Sequence, residues 1–167
     1  DIPLVTTNRI NKPEVAEDIL ANGEADLISM ARPYLADAEL VNKAKENRLD
    51  EINICIACNQ ACLDHTFKGK VSSCLVNPFA CYETELVHTK TTQKKIAVVG
   101  AGPSGMAFSV EAAKKGHSIT LFDQDEDIGG QFNMAKVIPG KEEFNETIRY
   151  YKRQLDLNGV ILKMKTE

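Results

Sequence analysis

The chain opens on a short β-prone run, Leu4-Val5-Thr6-Thr7, and then changes period. Val15, Ile19 and Leu20 fall on one helical stripe. Pro13 sits in its first turn, Asn11 is placed to cap it with Glu14 three residues on, and Gly23 follows its end. The pattern repeats: residues 26–31 (DLISMA) read as a buried strand, and residues 37–47 read as a helix with Leu40, Val41 and Ala44 inward. Two βα units cannot cover both faces of a parallel sheet, so residues 1–50 are expected to complete a larger α/β structure. From residue 51 to about 94 the periodicity disappears and Cys, Asn and Gly take over, ending in a polar stretch over 84–94 that suits a linker. α/β order then resumes. A strand over 95–99 leads into a glycine turn and a helix closed by Gly116, and a second strand covers 118–122. Phe144, Ile148, Tyr151 and Leu155 stand at helical spacing, Gly159 ends that helix, and 160–164 reads as another strand.

Composition adds mostly exclusions. With 43% hydrophobic and 26% charged residues the chain reads as soluble and globular, and no apolar run approaches the roughly 20 residues needed to cross a bilayer. A net charge of −4 with scattered basic residues gives no footprint for nucleic acid. The first residue is Asp1 and the last Glu167, so a longer parent is expected. Five cysteines in a sequence without a signal peptide point to metal or redox chemistry in a reducing cytoplasm rather than to disulfides.

Four of those cysteines, Cys55, Cys58, Cys62 and Cys74, follow the spacing C-x2-C-x3-C-x11-C, so three thiolates come from one tight loop and the fourth from nearby. Each must be deprotonated to bind, which close sulfurs tolerate only when metal shares the charge. An iron-sulfur cluster is expected, since zinc sites more often pair their ligands as two separated C-x2-C units. Cys81 reads as a small buried apolar residue, and His65, His88 and His117 as surface or packing residues without ligand partners.

Gly100, Gly102 and Gly105 lie where the predicted strand meets the predicted helix. There the first glycine permits the tight turn, the second lets a pyrophosphate approach the backbone, and the third lets helix and strand pack closely. Asp123 ends the next strand, 18 residues after Gly105, where an acid accepts from a ribose 2′-OH and disfavours a 2′-phosphate. Gly129 and Gly130 let the backbone pass close to a ligand or an adjacent turn, and Gln131 beside them completes the expected cofactor contacts.

The stretches CIACNQACLDHTFKGKVSSCLVNP, KKIAVVGAGPSGMAF and DEDIGGQFNMAKVIPGKEEF resemble the bacterial NADPH-dependent 2,4-dienoyl-CoA reductases, relatives of trimethylamine dehydrogenase and the old yellow enzymes. The resemblance covers essentially the whole chain. It implies an α/β architecture in three parts: residues 1–50 as the last βα units of an FMN-binding TIM barrel, 51–94 as the segment of a [4Fe-4S] cluster with its linker, and 95–167 as the first part of a Rossmann-like FAD-binding domain. It also implies that Arg9, Ala31 and Arg32 surround the FMN phosphate, as loops after the last barrel strands commonly do. Electrons would pass from NADPH to FAD, cluster, FMN and a 2,4-dienoyl-CoA from unsaturated fatty-acid breakdown. The family's substrate-reducing acids belong to earlier barrel strands, so no catalytic residue is assigned, and these 167 residues alone are not expected to reduce dienoyl-CoA. Two alternatives stay open: an amine dehydrogenase whose Rossmann site holds only ADP, and a zinc-stabilised nucleotide-binding module without redox chemistry.

Overall fold

The structure is a computed structural model that describes residues 2–87 and 89–166; His88 lies outside the described residues. The chain separates into two compact units, one ending at Leu86 and the other starting at Val87.

In the first unit β1 (Val5–Thr7) runs parallel to β2 (Leu27–Ser29), with Val5 beside Leu27 and Thr7 beside Ser29, and α1 (Pro13–Ala21) connects them. The burial expected of the second strand is not found. Leu27 is 56% exposed and Val5 57%, because a parallel pair needs a layer on each face and these faces stand open. Asn11 does not cap α1 either. Lys12 holds the cap position without a side-chain bond, and the Asn11 amide donates instead to the Cys55 carbonyl at 3.0 Å. The helix expected over 37–47 is realised as the shorter α3 (Leu40–Lys45), and an unexpected short helix, α2 (Arg32–Ala36), precedes it and ends at the extended backbone of Asp37. Leu40 is buried and Ala44 packs against its cluster, whereas Val41, the next position round the helix, is exposed.

Beyond a single 3-10 turn at Leu49–Glu51, the cysteine-rich segment carries one short helix, α4 (Leu63–Phe67), in otherwise irregular backbone. It is not loose. Ile52, Asn53, Ile54 and Ile56 form a continuous buried run, with Val76 and Ala80 buried further along. Cys81, expected inside, is exposed: Ala80 takes the buried place, and Cys81 turns outward at φ 66 with its N–H donating to Glu83.

The second unit is a three-stranded parallel sheet in the order β3 (Lys95–Val99), β4 (Ser118–Phe122), β5 (Ile161–Lys163). The connection from β3 to β4 is α5 (Pro103–Lys114), and the one from β4 to β5 contains α6 (Phe132–Ala135) and α7 (Phe144–Leu157). Met106 and Val110 from α5, Ile119 and Leu121 from β4, and Tyr151 and Leu155 from α7 form its core. Each fully buried side chain of this size stabilises by roughly 1.5–3 kcal/mol. The predicted helical spacing on α7 is thus realised, with Phe144 tilted against Phe132 at 5.0 Å between ring centroids.

Candidate functional site

The first unit brings Arg9, Ala31 and Arg32 around one small cavity of about 140 Å³. They reach it from the loops that follow β1 and β2. Asn8 and Arg9 both take left-handed backbone, φ 78 and 60, which turns the first loop back across the second. Two guanidinium side chains and backbone at the ends of parallel strands make a cavity suited to a small anion.

Arg32 has a second neighbour. Its Nη1 donates to the Asn59 Oδ1 at 2.7 Å, inside the turn between Cys58 and Cys62. Ala57 and Asn59 are left-handed in that turn, φ 52 and 62, which folds the three-cysteine loop tightly. All four predicted ligands are half-buried free thiols. Burial pushes the Cys55 thiol up, while the N–H of Ala57 and the charge of Arg32 pull the other way; Cys58 and Cys62 lie close enough to raise it further. Burial likewise pushes the Cys74 thiol up, opposed by the N–H groups of Val76 and Asn77, and Cys55 and Cys58 raise it in turn. Cys55 thus lies in the fields of Cys58 and Cys62 and Cys74 in those of Cys55 and Cys58, and Cys55 and Cys74 receive backbone N–H bonds of the kind that cluster sulfurs accept.

Among the described residues no three His, Cys, Asp or Glu side chains converge on a position for one ion. A single zinc would need its sulfurs about 2.3 Å from a common point. A four-iron cluster gives each thiolate its own iron and does not require the sulfurs to meet at a common point. His65 bonds the Val71 carbonyl at 2.9 Å, and His117 meets Thr91 and the Lys94 N–H, so neither is directed at the cysteines.

A polar brace that the sequence did not reveal supports this loop. Buried Asp37 accepts from the Asn53 N–H at 2.8 Å, the Glu39 N–H at 3.0 Å and Lys43 Nζ at 2.6 Å, and Lys43 also donates to the Glu51 carbonyl. Asn53 then donates from its side chain to the Val76 carbonyl, and Asn77 to the Leu35 carbonyl. The chain just before Cys55 is thereby fastened to the chain following Cys74. The only sequence signal was the density of asparagines around the cysteines.

In the second unit Gly100 turns at φ 98, with its N–H on the Phe122 carbonyl at 2.8 Å. A Cβ at Gly105 would collide with the Gly100 carbonyl oxygen, so only glycine lets α5 start this close to β3. A Cβ at Gly102 would meet nothing within 4 Å. That open space belongs to a cavity of about 780 Å³ lined by Gly100, Gly102, Ser104, Phe108 and Gln131. Gly129 donates to the Ala101 carbonyl at 2.8 Å, and Gly130 passes close to Gly102, so the second glycine pair packs on the first turn.

Asp123 lies at the end of β4 as expected but is engaged with backbone. Its Oδ1 accepts from the Asp125 N–H at 2.8 Å and its Oδ2 from the Ala101 N–H. These bonds, that from Asp125 first, hold its carboxyl below the usual range. Each oxygen keeps further lone-pair capacity, so the acid can fix the turn and still accept from a hydroxyl.

A parallel sheet with a glycine turn at a helix N-terminus, and parallel βα units with a small two-arginine cavity, are features suited to binding nucleotides and phosphate-bearing cofactors. Residues 1–51 match the NADH:flavin oxidoreductase / NADH oxidase family, and residues 98–157 match the NAD(P)-binding Rossmann-like domain. The chain thus carries the end of a TIM-barrel flavin oxidoreductase region, a cysteine-rich segment, and the start of a Rossmann-like domain. It is similar to the metal reductase of Desulforamulus reducens, 48% identical over 86% of this chain and 22% of that protein. The NADH oxidase of Thermoanaerobacter brockii is 38% identical over 96% of this chain and 25% of its own length. The solved structure of a 2-naphthoyl-CoA reductase with 2-naphthoyl-CoA superposes over 100% of this chain and 26% of that one, at 39% identity and a TM-score of 0.96. The chain spans about a quarter of the length of these relatives.

Proposed function

We propose that these residues form the electron-transfer junction of an NADPH-dependent flavin reductase of the 2,4-dienoyl-CoA reductase type. The cysteine loop carries the reading: four part-buried thiols, Cys55 in the field of Cys58 and Cys62 and Cys74 in that of Cys55 and Cys58, two of them receiving backbone N–H bonds, directly after a barrel segment with a two-arginine cavity. Arg9, Ala31 and Arg32 hold the FMN phosphate; Cys55, Cys58, Cys62 and Cys74 hold a [4Fe-4S] cluster; the turn from Gly100 to Gly105, with Asp123 and Gln131, holds FAD. When bound, these groups supply a route on which paired electrons from NADPH are separated and passed singly between two flavins to the substrate.

The protein's own contribution is placement and field. The two guanidinium groups neutralise a phosphate, and the N–H groups of Ala57, Val76 and Asn77 stabilise negative sulfur. The N-terminus of α5 and the bare backbone at Gly102 accept a pyrophosphate. An unsaturated acyl-CoA as substrate rests on the sequence resemblance and on the relative crystallised with 2-naphthoyl-CoA.

The test is iron, acid-labile sulfide and flavin analysis of the anaerobically purified complete protein, followed by NADPH-dependent reduction of a 2,4-dienoyl-CoA. Four irons and four sulfides, with FMN and FAD, are expected per protein on this reading. Stoichiometric zinc without sulfide would overturn the cluster assignment, and cluster-loaded protein that ignores dienoyl-CoA would overturn the substrate.

A further inference from the structure

Arg32 stands at two places at once. It lines the small cavity with Arg9, and its Nη1 is bonded to Asn59 between Cys58 and Cys62. A residue serving only a phosphate would have no need of that bond, and its half-buried side chain lies where solvent screens it incompletely.

We infer that Arg32 is a positioning residue for the iron-sulfur site as well as a cavity residue: through Asn59 it braces the turn carrying Cys58 and Cys62, and its fixed positive charge raises the reduction potential of the group those cysteines hold. This rests on the cluster reading above. In the step concerned one electron enters the cluster, no bond forms or breaks, and the cluster's charge becomes more negative by one. A guanidinium nearby favours that product. Anion binding in the cavity draws on the same cation, which makes cavity occupancy and cluster potential linked quantities.

The experiment is a dithionite titration of the complete protein, purified anaerobically, followed by the electron paramagnetic resonance signal of the reduced cluster. Iron, sulfide and flavin are measured in every sample. Arg32→Gln is expected to lower the cluster's one-electron equilibrium constant about tenfold, a fall of ~59 mV in midpoint. Arg32→Lys keeps the charge and is expected to recover most of that shift. Asn59→Gly suits the left-handed backbone at that position and leaves the cavity intact, so it is expected to retain flavin while showing a smaller fall. A cluster-loaded Arg32→Gln protein with the parental midpoint would overturn the inference. If Arg32→Gln loses its cluster, Asn59→Gly decides: a parental midpoint there overturns the proposal and a lowered one supports it. A parent protein without iron and sulfide would instead sink the cluster reading itself.

Discussion

The two units of this chain are nearly equal in length and are held together by different physics. The unit from Val87 onward is an apolar core closed between one sheet and its helices, with Met106, Leu121 and Leu155 fully buried. The unit ending at Leu86 has, among its described residues, a smaller core cluster of Leu40, Ile52 and Ile54, with Ile10, Ala36, Ile56, Val76 and Ala80 also buried, and its strands present apolar side chains outward. Its order comes from directional bonds: a buried carboxylate with three donors, and asparagines spanning distant backbone. Hydrophobic burial tolerates slippage, whereas hydrogen bonds fix angles. The segment that carries the four cysteines is the one braced by hydrogen bonds.

The sharpest way to break this contrast is Asp37→Ala, which leaves Lys43 and the Asn53 N–H facing a lost acceptor inside the protein. Its cost is expected at about 3–5 kcal/mol, read by denaturant unfolding, and a loss under 1 kcal/mol would mean that the first unit does not depend on its polar brace. Leu155→Ala is the counterpart in the second unit. About 2–5 kcal/mol of destabilisation is expected there from lost burial and the cavity left behind, with flavin or nucleotide binding to the glycine turn weakened only in proportion. Next comes Asn53→Ala, which leaves the Val76 carbonyl without its donor and should cost about 1–3 kcal/mol. Its diagnostic feature is a loosening of the backbone around Cys74, visible as faster amide exchange at Val76 and Asn77.

A smaller effect is expected from acid. Asp123 has its folded carboxyl below the ordinary value, so its contribution is complete above the unfolded value, near 3.9, and is lost as pH falls through the folded one. Comparing thermal stability at pH 6 and pH 3 should show a drop that Asp123→Asn reduces; an equal drop in both would remove this carboxylate from the account. Least of all should follow from Lys165→Ala. Its bond to Glu126 is solvent-exposed on both sides, and a change within about 1 kcal/mol is expected.

What could be read from the sequence divides along the same line. The alternation of strand and helix after residue 95, the glycine turn and the stripe on α7 were legible because each repeats at a fixed period. The small cavity at Arg9 and Arg32 was legible only through resemblance, since the two are 23 positions apart and nothing local ties them together. The brace was not legible. Asn77 and Leu35 are separated by 42 residues, and asparagine signals a turn as readily as a long-range bond. Asn11 shows the ambiguity directly, standing in a capping position while its side chain serves the Cys55 carbonyl. α2 and α6 escaped because helices of five and four residues are too short to show a period.

The outermost strands of the second unit carry a consequence for handling these 167 residues by themselves. β3 and β5 are paired on one flank each, and Val99 on β3 is 86% exposed, with Ile161 and Leu162 open on β5. Such borders invite intermolecular ribbons, in which one molecule's backbone continues another's sheet. Lys94 and Lys95, where β3 begins, put like charges in the way of a parallel self-match, so colloidal behaviour should depend on ionic strength, with added salt weakening that guard.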